Sequence, residues 1–541
     1  MLLIRPGGLI ALGFFKPPRR RERQEKKMTE ASFPALIQQM LQPGFYPHPV
    51  TEPLKLEQTH ISYVLLTGDY AYKLKKPVNF GFLDFSTLEK RQRFCVEELR
   101  LNQRGAPELY LEVLPVTQVE NQYQLGGTGQ PVEYVLKMRQ FPQEALFSTM
   151  FEQGKLGEVH LEELGRVVAQ YHANAETNDY IRTFGEVAQV RAWIEENYDK
   201  TNKYIGGPQT QARLEETKQF TDGFFAQRPE LFASRIQNKW IRECHGDLHL
   251  RNICLWHDKI LLFDCIEFNE QFRFVDVMYD VAFTVMDLEA RQRLDLGNVF
   301  LNTYVEQTGD WDGLQVLPLY LSRQAYVRAK VNSLLLDDPS VSSAAKEEAA
   351  ATAADYYQLA WQYTKPRRGQ LILMSGLSGS GKSTIARQLA RKLGAIHIRS
   401  DAVRKHLAGI ALTQRGEANL YTAEMSQKTY DRLLELGIML ATQGFPVILD
   451  AKYDRQQLRL DAIAQAQSHQ LPLQIVHCTA PLEVLRSRLS SRTGDIADAT
   501  ADLLGVQQAA TEPFTEAEEL YLKTLDTTQP LEAQLQQVIE Q

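Results

Sequence analysis

Three stretches of the chain set reactive residue types at spacings suited to phosphate chemistry. The first is Gly376-Leu377-Ser378-Gly379-Ser380-Gly381-Lys382-Ser383, with Thr384 following. It fits G-x-x-x-x-G-K-[ST] and stands between the apolar run QLILM and the helix-like STIARQLARKL. Glycines there let backbone N–H groups converge on phosphate oxygens, and the helix start adds its positive end. Lys382 would neutralise the β- and γ-phosphates of ATP or GTP, and the Ser383 hydroxyl would hold Mg²⁺. The competing reading is a plain glycine-rich turn.

Downstream, the strand-like AIHI leads into Arg399-Ser400-Asp401-Ala402-Val403-Arg404. An Asp at a strand end can take the proton of an attacking hydroxyl, and an Arg can hold an anionic substrate. Ser400 or Asp401 could equally be a helix N-cap. The run PVIL delivers Asp450, placed to support Mg²⁺ or to face substrate. Arg486, Arg488 and Arg492 fall on a helix and beyond it, as electrostatic catalysts over a transferring phosphate or as a solvated charged face.

The other stretches lie earlier. His245-Gly246-Asp247-Leu248-His249-Leu250-Arg251-Asn252 has the form H-G-D-x-x-x-x-N, and the run KILLF beyond it ends in Asp264. Transfer of a phosphoryl group to a hydroxyl needs a carboxylate at that hydroxyl and ligands for Mg²⁺. Asp247 suits the first role, Asn252 and Asp264 the second. The spacing parallels H-R-D-x-x-x-x-N and D-F-G, but Gly246 replaces the Arg and Cys265-Ile266 replaces Phe-Gly. A metal cluster of His245, Asp247 and His249 and a structural Asp/Asn turn are the alternatives.

The elements around these residues change character along the chain. Ile61–Lys75 reads as two strands around Thr67-Gly68-Asp69, and Ser86–Arg104 as a helix. Glu112–Thr117 and Val132–Arg139 read as strands with a hairpin turn at Gly126-Gly127-Thr128-Gly129. From Gly157 the pattern is mainly helical, ending in the Ala-rich Ala344–Thr364; Lys365-Pro366-Arg367-Arg368-Gly369 marks a boundary. Beyond it short apolar runs alternate with helices, the pattern of a parallel sheet covered on both faces.

Residues 370–528 resemble P-loop kinases of the nucleoside-monophosphate-kinase-like fold, in the branch of polynucleotide 5′-hydroxyl kinases, gluconate kinases and zeta-toxin-like enzymes. GLSGSGKST, SDAVR, VILDAKYDRQQLR and RSRLSSR carry the likeness. It implies Asp401 as general base, Arg404 as the substrate-phosphate contact, and Arg488 with Arg492 as a lid pair. Residues 55–335 resemble the aminoglycoside phosphotransferase and choline/fructosamine kinase group, densest over CHGDLHLRNICLW and LLFDCIEFNEQFRFVDVMYDVAF. That likeness implies Asp247 as base, Asn252 and Asp264 on metal, Asp276 and Asp280 bracing the loops, and a nucleotide-binding lysine–glutamate pair. Lys73 and Lys75 share a face of YAYKLKK; Lys73 with Glu98 is the favoured pair. The phosphate loop reduces to Thr67-Gly68-Asp69.

The fold expected is therefore an α+β, two-lobed protein-kinase-like domain followed by an α/β P-loop domain with a parallel sheet. The kinase-like domain spans 32–364, its N-lobe about 32–140 and its helical C-lobe about 141–364, and the P-loop domain 365–541. As a whole the chain resembles bacterial fusions of these two modules. The expected function is ATP-dependent phosphorylation of small hydroxylated molecules at two sites. The alternative is a P-loop kinase, acting on a small molecule or a polynucleotide 5′-hydroxyl, with a regulatory or substrate-recruiting kinase-like domain.

Composition agrees. The chain has 541 residues, roughly three to four domains by length, and 44% hydrophobic residues, enough for large cores. Lys+Arg number 60 against Asp+Glu 67, a net charge of −7, which argues against a nucleic-acid partner. No apolar run approaches the ~20 residues of a membrane span. Five cysteines without a C-x-x-C pair point to the reducing cytoplasm. Residues 1–31 read as a disordered tail, or as sequence ahead of a start at Met28, with a basic membrane-surface anchor as the competing reading.

Overall fold

The computed structural model describes residues 34–339, 341–491, 496–498 and 500–539. The readings made for residues 1–31 and for Arg492 lie outside these residues. The chain forms two compact units. One comprises residues up to Leu156 together with Leu250–Glu270, and the other Gly157–His249 with Gln271 onwards. The fold is the two-lobed kinase-like domain followed by a P-loop domain, and the helical C-lobe shares its unit with the P-loop domain.

The first unit is built on six strands: β1 (Lys55–Gln58), β2 (Ser62–Leu66), β3 (Tyr70–Lys75), β4 (Tyr110–Val119), β5 (Gln122–Leu125) and β6 (Pro131–Arg139). Their order is β1-β2-β3-β6-β4-β5, antiparallel throughout. β3 lies inside the sheet, which explains its Tyr, Leu and paired Lys on a mostly buried strand. Helix α1 (Leu88–Asn102) starts at Thr87, whose hydroxyl accepts from Lys90 N–H, and buries Cys95, Glu98, Leu101 and Asn102 on one face. A hairpin of Ile253–Trp256 and Lys259–Leu262 ends in Asp264.

Two sequence readings are corrected here. The Gly126–Gly129 turn leads from β5 to β6 rather than closing a hairpin between β4 and β6, because the short strand Gln122–Leu125 intervenes. Its alternation is too brief to stand out from the loop around it. The Thr67-Gly68-Asp69 turn joins β2 and β3; the β1–β2 connection, where a phosphate loop belongs, is the glycine-free Thr59-His60-Ile61. Thr59 Oγ1 accepts from the Ser62 N–H there at 3.0 Å, which makes the turn tight.

In the second unit, helices α2 (Glu158–Asn174), α3 (Val277–Ala290), α4 (Leu294–Thr308), α5 (Leu317–Leu334) and α6 (Ser343–Gln362) form the C-lobe. α3 is apolar nearly all round and almost wholly buried, as such a pattern requires. Asp276 caps it by accepting the Met278 N–H. Arg235 grips both carboxylate oxygens of Asp276 at 2.7 Å and reaches Asp310 at 2.5 Å. α2 and α4 approach closely at Gly165, where a Cβ would lie 2.8 Å from Thr303 Cβ.

The P-loop domain has five parallel strands: β7 (Gln370–Ser375), β8 (Ile396–Arg399), β9 (Pro446–Asp450), β10 (Leu473–Thr479) and β11 (Leu522–Asp526). Their order is β8-β9-β7-β10-β11. β11 and the helix Leu531–Ile539 extend the alternation beyond the strands anticipated. Helices α7 (Lys382–Leu393), α8 (Ser400–Leu407), α9 (Ala423–Thr442) and α10 (Leu482–Ser491) follow their strands. β8 is an edge strand, and helix α4 closes part of its edge. Asn298 and Asn302 both donate to Ala395 O, at 2.9 and 3.0 Å, and Asn302 Oδ1 accepts the His397 N–H at 2.8 Å.

Arg235 is the buried cation on which the Asp276 cap depends. Arg235→Met should destabilise the fold by about 3–5 kcal/mol, since it strands two buried carboxyls. Burial, helped by Asp276 and Asp312, pushes Asp310 up to about 6 despite Arg235. The folded state thus holds a proton that the unfolded chain has released, so the contribution of Asp310 to stability falls as pH rises from about 4 to about 6. Unfolding curves across that window should lose this slope in Asp310→Asn; an unchanged slope would refute the assignment.

Candidate active sites

The P-loop is bent by its glycines. Gly376 has φ +130°, and a Cβ there would lie 2.3 Å from Cys478 O at the end of β10, so only glycine fits. Gly379 and Gly381 also have positive φ. Ser378 N–H donates to Gln507 Oε1 at 3.1 Å, Ser380 Oγ is buried without a partner, and Thr384 is exposed. Lys382 opens α7, and its Nζ donates to Gly376 O and Leu377 O at 2.8 Å. Burial pushes its ammonium below the ordinary value, against Asp450 and Asp401. Arg488 donates to Thr527 Oγ1 and Thr527 O at 2.8 Å and to Gly379 O at 3.4 Å. Loop, lysine and arginine thus converge, and the cradle they make fits a polyphosphate.

Asp450 ends β9 and faces His397 Nε2 at 3.0 Å. Burial raises its pKa, but the hydrogen bond from His397 and the charges of Arg399 and Lys382 prevail and hold the carboxyl far below the usual range. Ser383, half-buried beside Lys382, and the ionised Asp450 are oxygen donors of the class Mg²⁺ takes. Asp401 stands in the first turn of α8, whose N-cap is Arg399 with no side-chain cap, so neither Ser400 nor Asp401 holds the cap position. Arg404 is buried; it donates to Leu420 O at 3.2 Å and Ser426 Oγ at 3.3 Å and lies 5.3 Å over the Tyr421 ring.

In the kinase-like domain, the first unit carries a buried charge network. Glu98 receives Lys73 Nζ on one oxygen and Lys75 Nζ on the other, both at 2.6 Å. Lys73 also reaches Asp264 at 2.9 Å, and Lys75 pairs with Glu267. Burial opposes ionisation of Glu98, but the two lysines win and hold it at about 2. The two lysines therefore differ by their second partner: Lys73 turns to the half-exposed Asp264, Lys75 to the buried Glu267. Asp264 has φ +61°, and its N–H donates to Tyr110 Oη at 3.1 Å while the Cys265 N–H donates to Asn102 Oδ1 at 2.8 Å. Asn252 is buried, and its carbonyl accepts the Phe263 N–H at 3.0 Å. A carboxylate and an amide oxygen suit Mg²⁺.

The second unit carries His245–His249. Gly246 has φ +86°, and Asp280 on α3 accepts the His245 and Gly246 N–H groups at 2.6 and 2.8 Å. His172 Nε2 faces the same carboxylate at 3.2 Å. Asp247 Oδ2 lies 3.4 Å from His249 Nε2. Burial raises the Asp247 pKa, but His249, Arg328 and His245 outweigh it and keep the carboxylate ionised. Among the described residues the one close His/Cys/acid group is His172, Cys244 and Asp280, not His245, Asp247 and His249. Its Asp280 is taken up by two backbone amides, which disfavours that group as a metal site.

A family model for an AAA domain matches residues 371–514. The uncharacterized protein Rv2004c of Mycobacterium tuberculosis is 33% identical over 462 residues, which cover 84% of this chain and 90% of that protein. The chain belongs to the same family as that protein. A Mycobacterium bovis protein matches equally. Among solved structures, a sugar kinase from Janibacter is 26% identical over 32% of this chain and 94% of its own, with TM-score 0.26. A choline/ethanolamine kinase family protein from Mesorhizobium loti is 11% identical over 61% of this chain and 99% of its own, with TM-score 0.37.

Several residues that shape these sites escaped the sequence reading. Glu267 had a signal, since a second buried lysine on β3 needs its own carboxylate. His397 and Thr527 had none, being far in sequence from the groups they touch. Lys382→Ala should lower nucleotide turnover by orders of magnitude while leaving the circular dichroism spectrum unchanged, because the lysine acts on phosphate charge. Turnover equal to the parent would remove the P-loop from the reaction.

Proposed function

We propose that the chain is a phosphotransferase with two nucleoside-triphosphate sites, moving phosphate from ATP or GTP to hydroxyls of small molecules. The observation that carries this reading is the cradle around Lys382, with Gly376 fitted against Cys478 O and Arg488 against the loop. At that site Lys382, with Arg488, meets the charge of the transferring phosphoryl group. Ser383 and Asp450 would hold Mg²⁺, which would supply neutralising charge to the nucleotide's phosphates. Asp401 takes the acceptor's proton, and Arg404 orients the acceptor. In the kinase-like domain Lys73, fixed by Glu98, positions the nucleotide phosphates, Asn252 and Asp264 hold the metal, and Asp247 is the base.

A second reading, a P-loop kinase with a regulatory or substrate-recruiting kinase-like domain, draws on the glycine-free Thr59–Ile61 turn, which offers no loop of free backbone amides to phosphates. Among the described residues no helix is long and apolar enough to cross a membrane. All five cysteines are free and buried, which supports the reducing cytoplasm as the location.

Two outcomes separate the readings. Titration calorimetry with a non-hydrolysable ATP analogue and Mg²⁺ should give two nucleotides per chain, one lost in Asp264→Ala and the other weakened in Lys382→Ala. A single site that vanishes with Lys382 transfers the lead to the regulatory reading. Independently, Asp401→Asn should bind nucleotide as the parent does yet transfer no phosphate to an acceptor. Full transferase activity in that variant would return the position to a structural role.

A further inference from the structure

β9 lies beside β7 in the parallel sheet, with Asp450 opposite Met374, so the chain leaving β9 runs past the start of the P-loop. It continues as Ala451-Lys452-Tyr453-Asp454. The Gly376 N–H donates to Lys452 O at 3.1 Å, and Gly376 O accepts from Lys382 Nζ at 2.8 Å. One glycine of the cradle thus touches both lysines, the backbone of one and the ammonium of the other. The two lysine charges are near enough to repel each other.

This turn is held in a strained conformation. Tyr453 is buried with φ +43°, which is uncommon for a bulky residue. Such a conformation persists only where the surroundings over-determine it. Here Arg459, fully buried on the helix Gln456–Ser468, donates to Tyr453 O at 3.1 Å and to Pro513 O at 3.0 Å, and grips Glu518 at 2.5 Å. The Glu512 N–H donates to Asp454 O at 2.8 Å, and the Tyr453 ring meets that of Tyr430 edge-on at 5.4 Å. Tyr430 in turn lies in the electrostatic field of Asp454, Arg404 and Asp401. The turn therefore stands between the phosphate cradle and the acceptor-side residues.

The Lys452 side chain is 38% exposed and donates to Asp454 Oδ2 at 2.8 Å; Asp454 is 12% exposed. An ion pair open to solvent to this extent is weak, and its lysine is readily exchanged to another anion. The flexible stem of a lysine allows that exchange without moving the backbone. Lys382, by contrast, is buried on two carbonyl oxygens of the loop itself.

We propose that Lys452 is a further catalytic residue of the P-loop site, its ammonium leaving Asp454 for the γ-phosphoryl oxygens of the bound nucleotide. The proposal rests on the kinase reading of the P-loop domain and adds a residue that reads the group to be transferred. In the transfer, the acceptor oxygen bonds to the γ-phosphorus and the bond from that phosphorus to the β-phosphate's bridging oxygen breaks. The acceptor's proton passes to Asp401 and the nucleoside diphosphate leaves. An ammonium on the γ-phosphoryl oxygens stabilises the charge spread over them in that passage. The backbone loop holds phosphates that a di- and a triphosphate share, whereas Lys452 meets the group that distinguishes them.

The test uses calorimetry on the full chain carrying Asp264→Ala, so that nucleotide is read at the P-loop site alone. A non-hydrolysable ATP analogue and ADP are compared, each with Mg²⁺. Lys452→Ala should weaken the analogue about tenfold and leave ADP unchanged, the loss of one charge-assisted contact to the γ-phosphoryl group. Lys452→Arg should keep most of the discrimination. Asp454→Asn, which removes the competing carboxylate, should bind the analogue at least as tightly as the parent. Each variant retains the backbone carbonyl that accepts from Gly376. In a second readout, kcat for Lys382-dependent transfer should fall about a hundredfold in Lys452→Ala. Equal weakening of the analogue and ADP would show that Lys452 only shapes the loop, and unchanged binding of both would show that it stays with Asp454; either result overturns the proposal. No nucleotide binding by the parent, or parent-level binding in Lys382→Ala, sinks the kinase reading itself.

Discussion

An edge strand leaves one row of backbone donors and acceptors unpaired, and a folded protein must cover, charge or pair that row. In the P-loop domain the edge strand is β8, the strand that runs into Asp401 and Arg404. The C-lobe answers with side chains rather than another strand. Asn298 and Asn302, four residues apart on one face of α4, supply donors to Ala395 O and an acceptor to the His397 N–H. Around this seam His406 Nε2 meets Glu306 O at 2.7 Å, and Arg432 pairs with Asp312. The placement of β8, and with it that of Asp401 and of the His397 partner to Asp450, thus depends on a helix belonging to another module.

A similar economy governs the buried charges. A carboxylate removed from water is tolerated only when cations and donors surround it. Glu98 meets that condition with two lysines, Asp276 with Arg235 and the Met278 N–H, Asp280 with two backbone amides and His172. Each holds a candidate site loop or side chain in place: Glu98 fixes Lys73, Asp276 begins the helix that carries Asp280, and Asp280 fixes the His245-Gly246 turn. Removing one partner would leave the other as an isolated buried charge, so these sites resist piecemeal change.

The sequence made visible what depends on local spacing. The P-loop, the H-G-D-x-x-x-x-N block and the strand-end Asp264 and Asp450 were legible because a phosphate cradle and a catalytic loop need fixed residue types within a few positions. The parallel alternation after Gly369 was legible for the same reason. Long-range partners were not. Nothing near His397 in the chain announces Asp450, and nothing near Asn302 announces Ala395. Strand β5 was missed because four residues of alternation cannot be told from a loop. The phosphate loop was misplaced because β1, also four residues and largely exposed, lacks the apolar pattern that would have counted it as a strand. Without β1, the glycine at the β2–β3 turn was the natural candidate.

That misplacement bears on the proposed nucleotide site of the kinase-like domain. A glycine-rich loop between β1 and β2 offers phosphates a set of mobile backbone amides; Thr59-His60-Ile61 instead uses its own groups, with Thr59 N–H bonded to Ser62 O at 2.9 Å and Thr59 Oγ1 taken by Ser62 N–H. Under the proposed two-site function, phosphate affinity in this domain would rest on side chains and metal, chiefly Lys73 and the proposed ligands Asn252 and Asp264. Lys73 and Asp264 already meet as an ion pair, so a nucleotide must compete for both charges, and a Mg²⁺ that neutralises Asp264 would free Lys73 for phosphate at the same moment. Nucleotide and metal should therefore bind with strong mutual dependence here. In the P-loop domain the backbone cradle would supply part of the proposed binding on its own, and the dependence on metal would be correspondingly weaker.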